Sequence, residues 1–315
     1  MPYLKAISFL LKQKSISDLQ IAEKLNITKE QVSAYVNQLR LLGKHIDIAD
    51  HGTYKIFSSI ILLDLFVIQE KFTEEALRHV NRIKLFNKIS STSEYLKKIN
   101  NDVQLVIAEE QTAGQGRLGR TWISPFGCNI YLSLLWELDS TLAGIDGLSV
   151  VVGCSLLETL KRFSSQNLQL KWPNDLVWNN KKIAGILVDL VPKNTNLYAV
   201  IGVGINVNYK PELPAVSSLR DIEKKYFDRN VIISYIVNDL VFYLSTYAKY
   251  GINSFVKEWQ NYDGLYKQNI VILLRDGSVI LGKNLGIDFK GRLIIEKKNK
   301  QIVYLASGEC SIYRS

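Results

Sequence analysis

The side chains best suited to chemistry fall in three short stretches of this chain. The first, QTAGQGRLGRTW over residues 111–122, joins Gly114, Gly116 and Gly119 to Gln111, Arg117 and Arg120. Glycines let backbone come close to a ligand and present amide N–H groups to phosphate. Arginines add bidentate hydrogen bonds to phosphate oxygens. The glycine spacing is also that of a dinucleotide-binding turn, which needs a strand before it, a helix after it and an acidic residue about 20 positions on. Here Pro125 and Gly127 forbid the helix, and a β run follows instead. A Walker-type loop is excluded as well, because no Gly-Lys-Ser/Thr follows. What remains is a strand–loop–strand connection that either cradles phosphate or lies solvated on the surface.

The second stretch, LKWPNDLVWNNKKIAGILVDL, gathers Lys171, Asn174, Asp175 and Lys182 around a Trp-Pro break. Pro173 ends a strand and holds Asn174 and Asp175 in a turn at its tip. Asn179-Asn180 then turns the chain, and Lys182 opens a strand running through Gly185. Lys182 reads either as a cation for an anionic ligand or as an edge-strand lysine that blocks aggregation. The third stretch, IGVGINVN, sets Gly202, Gly204 and Asn206 in a strand that either touches a ligand or is simply tightly packed. A protein-held metal is not expected. The 3 histidines are few, and Cys128, Cys154 and Cys310 form no CxxC or metal spacing.

The elements that must position these groups suggest three domains and a linker. With 315 residues, 47% hydrophobic and 22% charged, the chain has the composition of a folded globular protein. Its net charge of +9 suits anionic partners. Scattered cysteines, the absence of a signal-peptide pattern and a 59–68 apolar run interrupted by Asp64 predict a cytoplasmic protein outside any membrane. Residues 1–60 read as helices followed by a hairpin, a winged helix-turn-helix pattern. A first helix is expected over 3–13. Ser17 with Gln20 and Thr28 with Gln31 form capping boxes for the next two. Leu19, Ala22 and Leu25 supply one apolar face, Val32, Val36 and Leu39 the next. Gly43 ends the second of these helices, and Asp50-His51-Gly52 turns the hairpin. Residues 61–80 read as a linker. Residues 81–265 alternate strands (103–109, 129–138, 168–172, 182–191, 198–208) with helices (within 141–163, near 231–249 and 252–260), an α+β domain. From 266 to 315, short β runs broken at Asp276-Gly277, Lys290-Gly291 and Asn299-Lys300 predict a small barrel.

Taken together and in order, the three stretches and the segment SSTSEYLKK at 90–98 resemble the biotin–protein ligases. The resemblance covers about 80–315. The N-terminal pattern extends it to the members that also repress transcription of biotin synthesis genes. It implies a central mixed sheet of the biotin/lipoate-ligase type, an SH3-like C-terminal barrel, ATP and biotin as substrates with Mg²⁺, and biotinyl-5′-AMP as intermediate. A lysine of a biotin carboxyl carrier protein would then receive the biotin. By the motif match, Lys182 would hold the biotin carboxylate and steady the α-phosphate. Arg117 and Arg120 would clamp phosphates, and Asn174 and Asn206 would lie near the nucleotide. Ser91, Thr92 and Gln111 would bind the ureido ring, helped by backbone at Gly114 and Gln115. Trp122 and Gly185 would line the pocket, and Asp175 would orient or deprotonate the incoming amine. Three departures stand out. Ser93 replaces the usual Asn, Gln115 replaces a frequent Arg, and PELPAVSS at 211–218 offers no aromatic over adenine. A lipoate–protein ligase, or a biotin-sensing regulator without ligase activity, are the competing readings.

For operator DNA, the helix over 28–42 presents Lys29, Ser33, Asn37 and Arg40, which can reach phosphates or base edges. Residues 1–60 hold 8 Lys/Arg against 5 Asp/Glu, a net of +3, and Glu30 opposes phosphate. The other reading of this domain is a packing module. A repressor of this type would be a homodimer when adenylate-bound, on a palindromic site.

Overall fold

The computed structural model describes residues 15–41, 46–49, 52–56, 61–99, 103–138, 145–193, 195–307 and 310–314. The expected first helix, the stop at Gly43 and the Asp50-His51 corner lie outside these. The N-terminal part pairs β1 (Ser15–Ser17) and β2 (Ile46–Ala49) with β3 (Thr53–Ile56), and packs α1 (Asp18–Leu25) on α2 (Lys29–Leu41). Both expected capping boxes form. Ser17 and Gln20 exchange hydrogen bonds at 3.2 and 3.1 Å, and Thr28 and Gln31 at 3.3 and 3.0 Å. The inward face of α1 differs from the expected one: Ile21 is fully buried while Leu19 is exposed. Leu25 lies on the Ile21 side, four positions on, which is one turn of helix.

Residues 61–80 are not a passive linker. They form α3 (Leu65–Gln69) and α4 (Glu74–His79), and bury Leu63, Ile68, Phe72, Ala76 and Val80 in the main core. The reason is a row of polar side chains on α8 (Arg229–Tyr250). Arg229 donates to Ile61 O, Asn230 to Leu62 O, Ser234 to Ile68 O and Asn238 to Lys71 O, at 2.8, 3.1, 2.8 and 2.9 Å. Asn230 and Asn238 also accept from Asp64 and Thr73 amides. α8 has the length and apolarity of a membrane span. Here it is a core helix, with Ile233, Val237, Leu240 and Leu244 packed inside.

The centre is a seven-stranded mixed sheet ordered β4-β5-β6-β10-β9-β8-β7. Its strands are β4 (Ile83–Phe86), β5 (Leu105–Ala108), β6 (Ile130–Leu138), β7 (Gln169–Lys171), β8 (Asp175–Trp178), β9 (Lys181–Lys193) and β10 (Asn196–Ile205). β4 and β5 run parallel and the other neighbours antiparallel. Alternation along each strand sorts the two faces. Leu132, Leu134, Ile201, Val203 and Ile186 join the core with α6 (Ile145–Lys161), α8 and α9 (Asn253–Tyr262). The opposite face carries α5 (Thr92–Lys98), with Leu96 packed beside Val106, Leu135 and Val200. Asn179 and Asn180, where the sequence predicts a turn, both take positive φ, 47° and 63°, and form a two-residue hairpin turn between β8 and β9.

The C-terminal part is a five-stranded antiparallel sheet ordered β14-β13-β12-β11-β15, built from β11 (Asn269–Leu274), β12 (Val279–Ile287), β13 (Leu293–Lys297), β14 (Ile302–Leu305) and β15 (Cys310–Arg314). It is fixed to the central domain. Trp172 Nε1 donates to Gly291 O at 2.9 Å, and Asn284 Nδ2 donates to buried Asp263 at 2.8 Å. Within the central domain α7 (Leu219–Glu223) lies in the connection from β10 to α8.

Candidate active site

The α5 face of the sheet is stripped of side chains where β10 and β9 meet. Gly204 is the register partner of Gly185, and Gly202 is the partner of Ser133 and Leu187. Trp122 packs its indole against this glycine floor. A Cβ at Gly204 would stand 2.5 Å from its indole, and one at Gly185 would stand 2.9 Å from Lys182 Nζ. These glycines serve close approach, as the sequence suggested for this strand, and the approaching group is an indole of the protein itself.

The loop that delivers Trp122 is a narrow hairpin. Gln111 N–H donates to Ser124 O at 3.2 Å, Trp122 N–H to Gly114 O at 2.9 Å and Gly116 N–H to Arg120 O at 2.7 Å. A 3₁₀ turn over Arg117–Gly119 forms its tip, with Leu118 at φ 57° and Gly119 at φ 71°. Gly114 has no room for a side chain, since a Cβ would sit 2.5 Å from Trp122 O. Gln115 is exposed and pairs with Thr121 across the hairpin.

One end of the resulting pocket is a hydroxyl–amide cluster. Gln111 Oε1 accepts from Thr92 N–H at 2.9 Å and from the Thr92 hydroxyl at 3.1 Å. This turns Gln111 Nε2 to Ser124 Oγ at 3.1 Å. Ser133 Oγ lies 2.8 Å from the Thr92 hydroxyl and 2.9 Å from that of Ser93. Ser91 lines the pocket, but its hydroxyl also accepts from Glu94 N–H at 3.4 Å and caps α5. Ser133 and Ser124 were missed from sequence. Ser133 had a signal, as the polar residue inside the apolar run IYLSLLW.

The other end carries charge. Lys182 Nζ stands 2.7 Å from Asp175 Oδ1 and 5.2 Å from the Trp122 ring centroid. Asp175 opens β8 as the partner of Gly185 rather than sitting in a free turn, so Lys182 and Asp175 face one another across the β8–β9 pair. Asn174 Nδ2 donates to Ile186 O at 2.7 Å, which leaves its oxygen to accept from Arg117 Nη1 at 3.1 Å. Lys182 is held by backbone on both sides, its N–H donating to Ala215 O at 2.8 Å and its O accepting from Ser217 N–H at 2.9 Å.

Beyond Lys182 the pocket opens into a groove of about 470 Å³, lined by Arg117, Arg120, Lys171, Asp175 and Asn206. Pro211, Leu213, Ala215 and Val216 form one wall, and Ile312 of β15 closes it. The sequence carries no signal for Ile312, which arrives from the C-terminal sheet. On the far side of the hairpin, Lys97 bridges Glu94 and Asp189 at 2.8 and 2.9 Å. Burial pulls the Lys97 ammonium down, yet hydrogen bonds to these carboxylates outweigh it and hold it above its ordinary range.

The structure thus brings Thr92, Gln111, Gln115, Arg117, Trp122, Asn174, Lys182 and Gly185 to one pocket, with Arg120, Asp175 and Asn206 in the adjoining groove. The candidate DNA-binding residues lie elsewhere. Lys29 pairs with Asp18 at 3.4 Å, Ser33 Oγ approaches the Tyr54 hydroxyl at 3.5 Å, and Asn37 is exposed. The Arg40 side chain is outside the described residues.

Residues 85–206 match the biotin/lipoate A/B protein ligase family, and residues 268–313 match the biotin protein ligase C-terminal domain. The chain is 30% identical over 302 residues to the bifunctional ligase/repressor BirA of Escherichia coli (strain K12), covering 93% of this chain and 92% of that protein. To the bifunctional ligase/repressor BirA of Bacillus subtilis (strain 168) it is 27% identical over 290 residues, 89% of each. Its fold is similar to that of the biotin protein ligase from Aquifex aeolicus in complex with biotin and ATP, with 28% identity, a TM-score of 0.67, and coverage of 74% of this chain and 99% of that one. The matched motifs, the near full-length relatives and the shared mixed sheet place this chain in the biotin/lipoate A/B protein ligase family.

Proposed function

We propose that this protein is an ATP-dependent biotin–protein ligase that also acts as a biotin-responsive repressor. The observation that carries the reading is a single cleft with a neutral hydrogen-bonding end at Thr92 and Gln111 and a cation, Lys182, at the other end, with Arg117 tied to Asn174 beside it for phosphate. That polarity matches biotin, a ureido ring at one end and a carboxylate at the other. A neutral hydrogen-bonding site rejects analogues that leave its groups unpaired, so this end would set selectivity. The Aquifex aeolicus neighbour bound to biotin and ATP, and the biotin protein ligase C-terminal domain match, favour biotin over lipoate.

In the first step a biotin carboxylate oxygen attacks the α-phosphorus of ATP. The bond from that phosphorus to the bridging oxygen of pyrophosphate breaks, and pyrophosphate leaves. This needs positioning and charge neutralisation more than proton transfer. Lys182 exchanges Asp175 for the incoming carboxylate and then for the α-phosphate oxygens, and Arg117 and Arg120 hold the phosphates. Among the described residues no cluster of His, Cys, Asp and Glu could hold a metal, and Asp175 is the carboxylate in the groove. That donor set suits Mg²⁺ arriving as part of the ATP substrate. In the second step the carrier lysine amine attacks the acyl carbon, AMP leaves, and Asp175 accepts the amine's proton. The hairpin 112–120 closes over the anhydride and shields it from water.

The two helices and three-strand sheet of the N-terminal part support a winged helix-turn-helix with α2 toward DNA, and the C-terminal sheet supports an SH3-like barrel. The carrier is a biotin carboxyl carrier protein, and the repressor is a cytoplasmic homodimer when adenylate-bound. Incubation with ATP, Mg²⁺, biotin and apo carrier domain, followed by mass spectrometry, tests the ligase. No mass gain on the carrier lysine would sink it. Lys182→Ala should abolish adenylate formation with the fold intact, and near-wild-type turnover would remove Lys182 from the mechanism. A gel shift on the protein's own biotin operon promoter tests the repressor.

A further inference from the structure

Asn129, immediately before β6, is fully buried and touches the groove through another residue. One atom of its amide receives two backbone N–H groups, from Val207 at 2.9 Å and Tyr209 at 3.2 Å. Only an amide oxygen accepts two donors, so this end is Oδ1 and the opposite end is NH₂. That NH₂ faces Asn206, 3.4 Å away, so the Asn206 atom it meets must be the oxygen. Asn206 is buried and lines the groove. With its oxygen held inward, it turns its own NH₂ to the groove as a donor. The same contacts fix the chain at 206–209, which leads into the wall of Pro211, Leu213, Ala215 and Val216. Behind Asn129, Arg229 Nη1 donates to its backbone oxygen at 3.1 Å and to Glu109 at 2.7 Å.

We propose that Asn129 is a positioning residue for nucleotide binding. It sets Asn206 as a hydrogen-bond donor to an acceptor atom of the nucleotide, and it holds the start of the groove wall. This rests on ATP occupying the groove, as proposed above. No part of the arrangement reaches the hydroxyl–amide cluster at the other end of the pocket. The role therefore separates the two substrates.

Asn129→Asp keeps the shape and the acceptor for Val207 and Tyr209 but cannot donate to Asn206. In biotin-dependent pyrophosphate exchange, the KM for ATP should rise about tenfold, the loss of one hydrogen bond, with the KM for biotin within about twofold of wild type. Asn206→Asp keeps an acceptor for Asn129 and puts a carboxylate oxygen where the groove-facing donor stood, so it should raise the ATP KM at least as far, with the KM for biotin little changed, even where Asn129→Asp fails to fold. An Asn206→Asp variant with wild-type ATP KM overturns the proposal. So does a folded Asn129→Asp that raises both KM values in parallel. A wild-type protein that shows no biotin-dependent exchange sinks the ligase reading itself, whereas exchange in wild type with unchanged variants overturns only this role.

Discussion

Gly204 and Gly185 carry no side chain because Trp122 and Lys182 occupy the space a Cβ would need. Gly204→Ala puts a methyl group against the indole, and the indole sits on a loop that can yield more easily than the sheet. Biotin affinity should therefore fall at least about tenfold by calorimetry while the melting temperature moves little. At the tip of the same hairpin, Arg117 is tied to Asn174. Arg117→Ala should leave biotin binding near wild type but let biotinyl-AMP escape, read as free adenylate after rapid filtration. Gln111, Arg117, Asn174, Lys182 and the glycines of this pocket were legible from types and spacing, whereas Ser91, Thr92, Gln115 and Trp122 came only through the family resemblance. The floor's geometry was legible from neither. Sequence shows that Gly202 and Gly204 lack side chains, whereas only the strand register shows that Gly185 and Ser133 lie beside them.

The strands expected near 129–138, 182–191 and 198–208 form as β6, β9 and β10, because long apolar runs bounded by turn residues specify strands strongly. β4 and β8 escaped detection. β8 is 4 residues between Pro173 and the Asn179-Asn180 turn, too short to show a period. The helices α3 and α4 escaped for another reason: their stability comes from the polar row on α8, a contact more than 160 residues away in the chain. Within that row Arg229 and Glu109 are a fully buried ion pair at 2.7 Å. Arg229→Met strands the Glu109 carboxylate inside the protein and should destabilise by about 3–5 kcal/mol in chemical denaturation. Asn238→Ala, at the exposed end of the row, should cost about 1 kcal/mol or less.

At the scale of the whole molecule, the hydrophobic core on the α6 and α8 side runs from Leu63 through the central sheet to Ile312. The C-terminal sheet is thus part of the catalytic body, which its own sequence pattern of short β runs could not reveal. Glu258 of α9 sits in this core's margin. Burial pushes its carboxyl up, against the lowering hydrogen bond from Tyr243 and with Glu158 adding to the rise. A carboxyl raised on folding contributes stability below its unfolded value and loses that contribution as pH climbs through the folded one. The melting temperature of Glu258→Gln relative to wild type should therefore increase from about pH 4 to about pH 7. The row on α8 also decides where this protein can be cut. A shortened enzyme that begins after residue 80 would lose Leu63, Ile68, Phe72 and Val80 from the core and leave Arg229, Asn230 and Ser234 without the backbone they hold. One that begins at residue 61 keeps all of it. The unit able to fold without the N-terminal domain therefore starts some 20 residues earlier than the sequence pattern placed the catalytic domain.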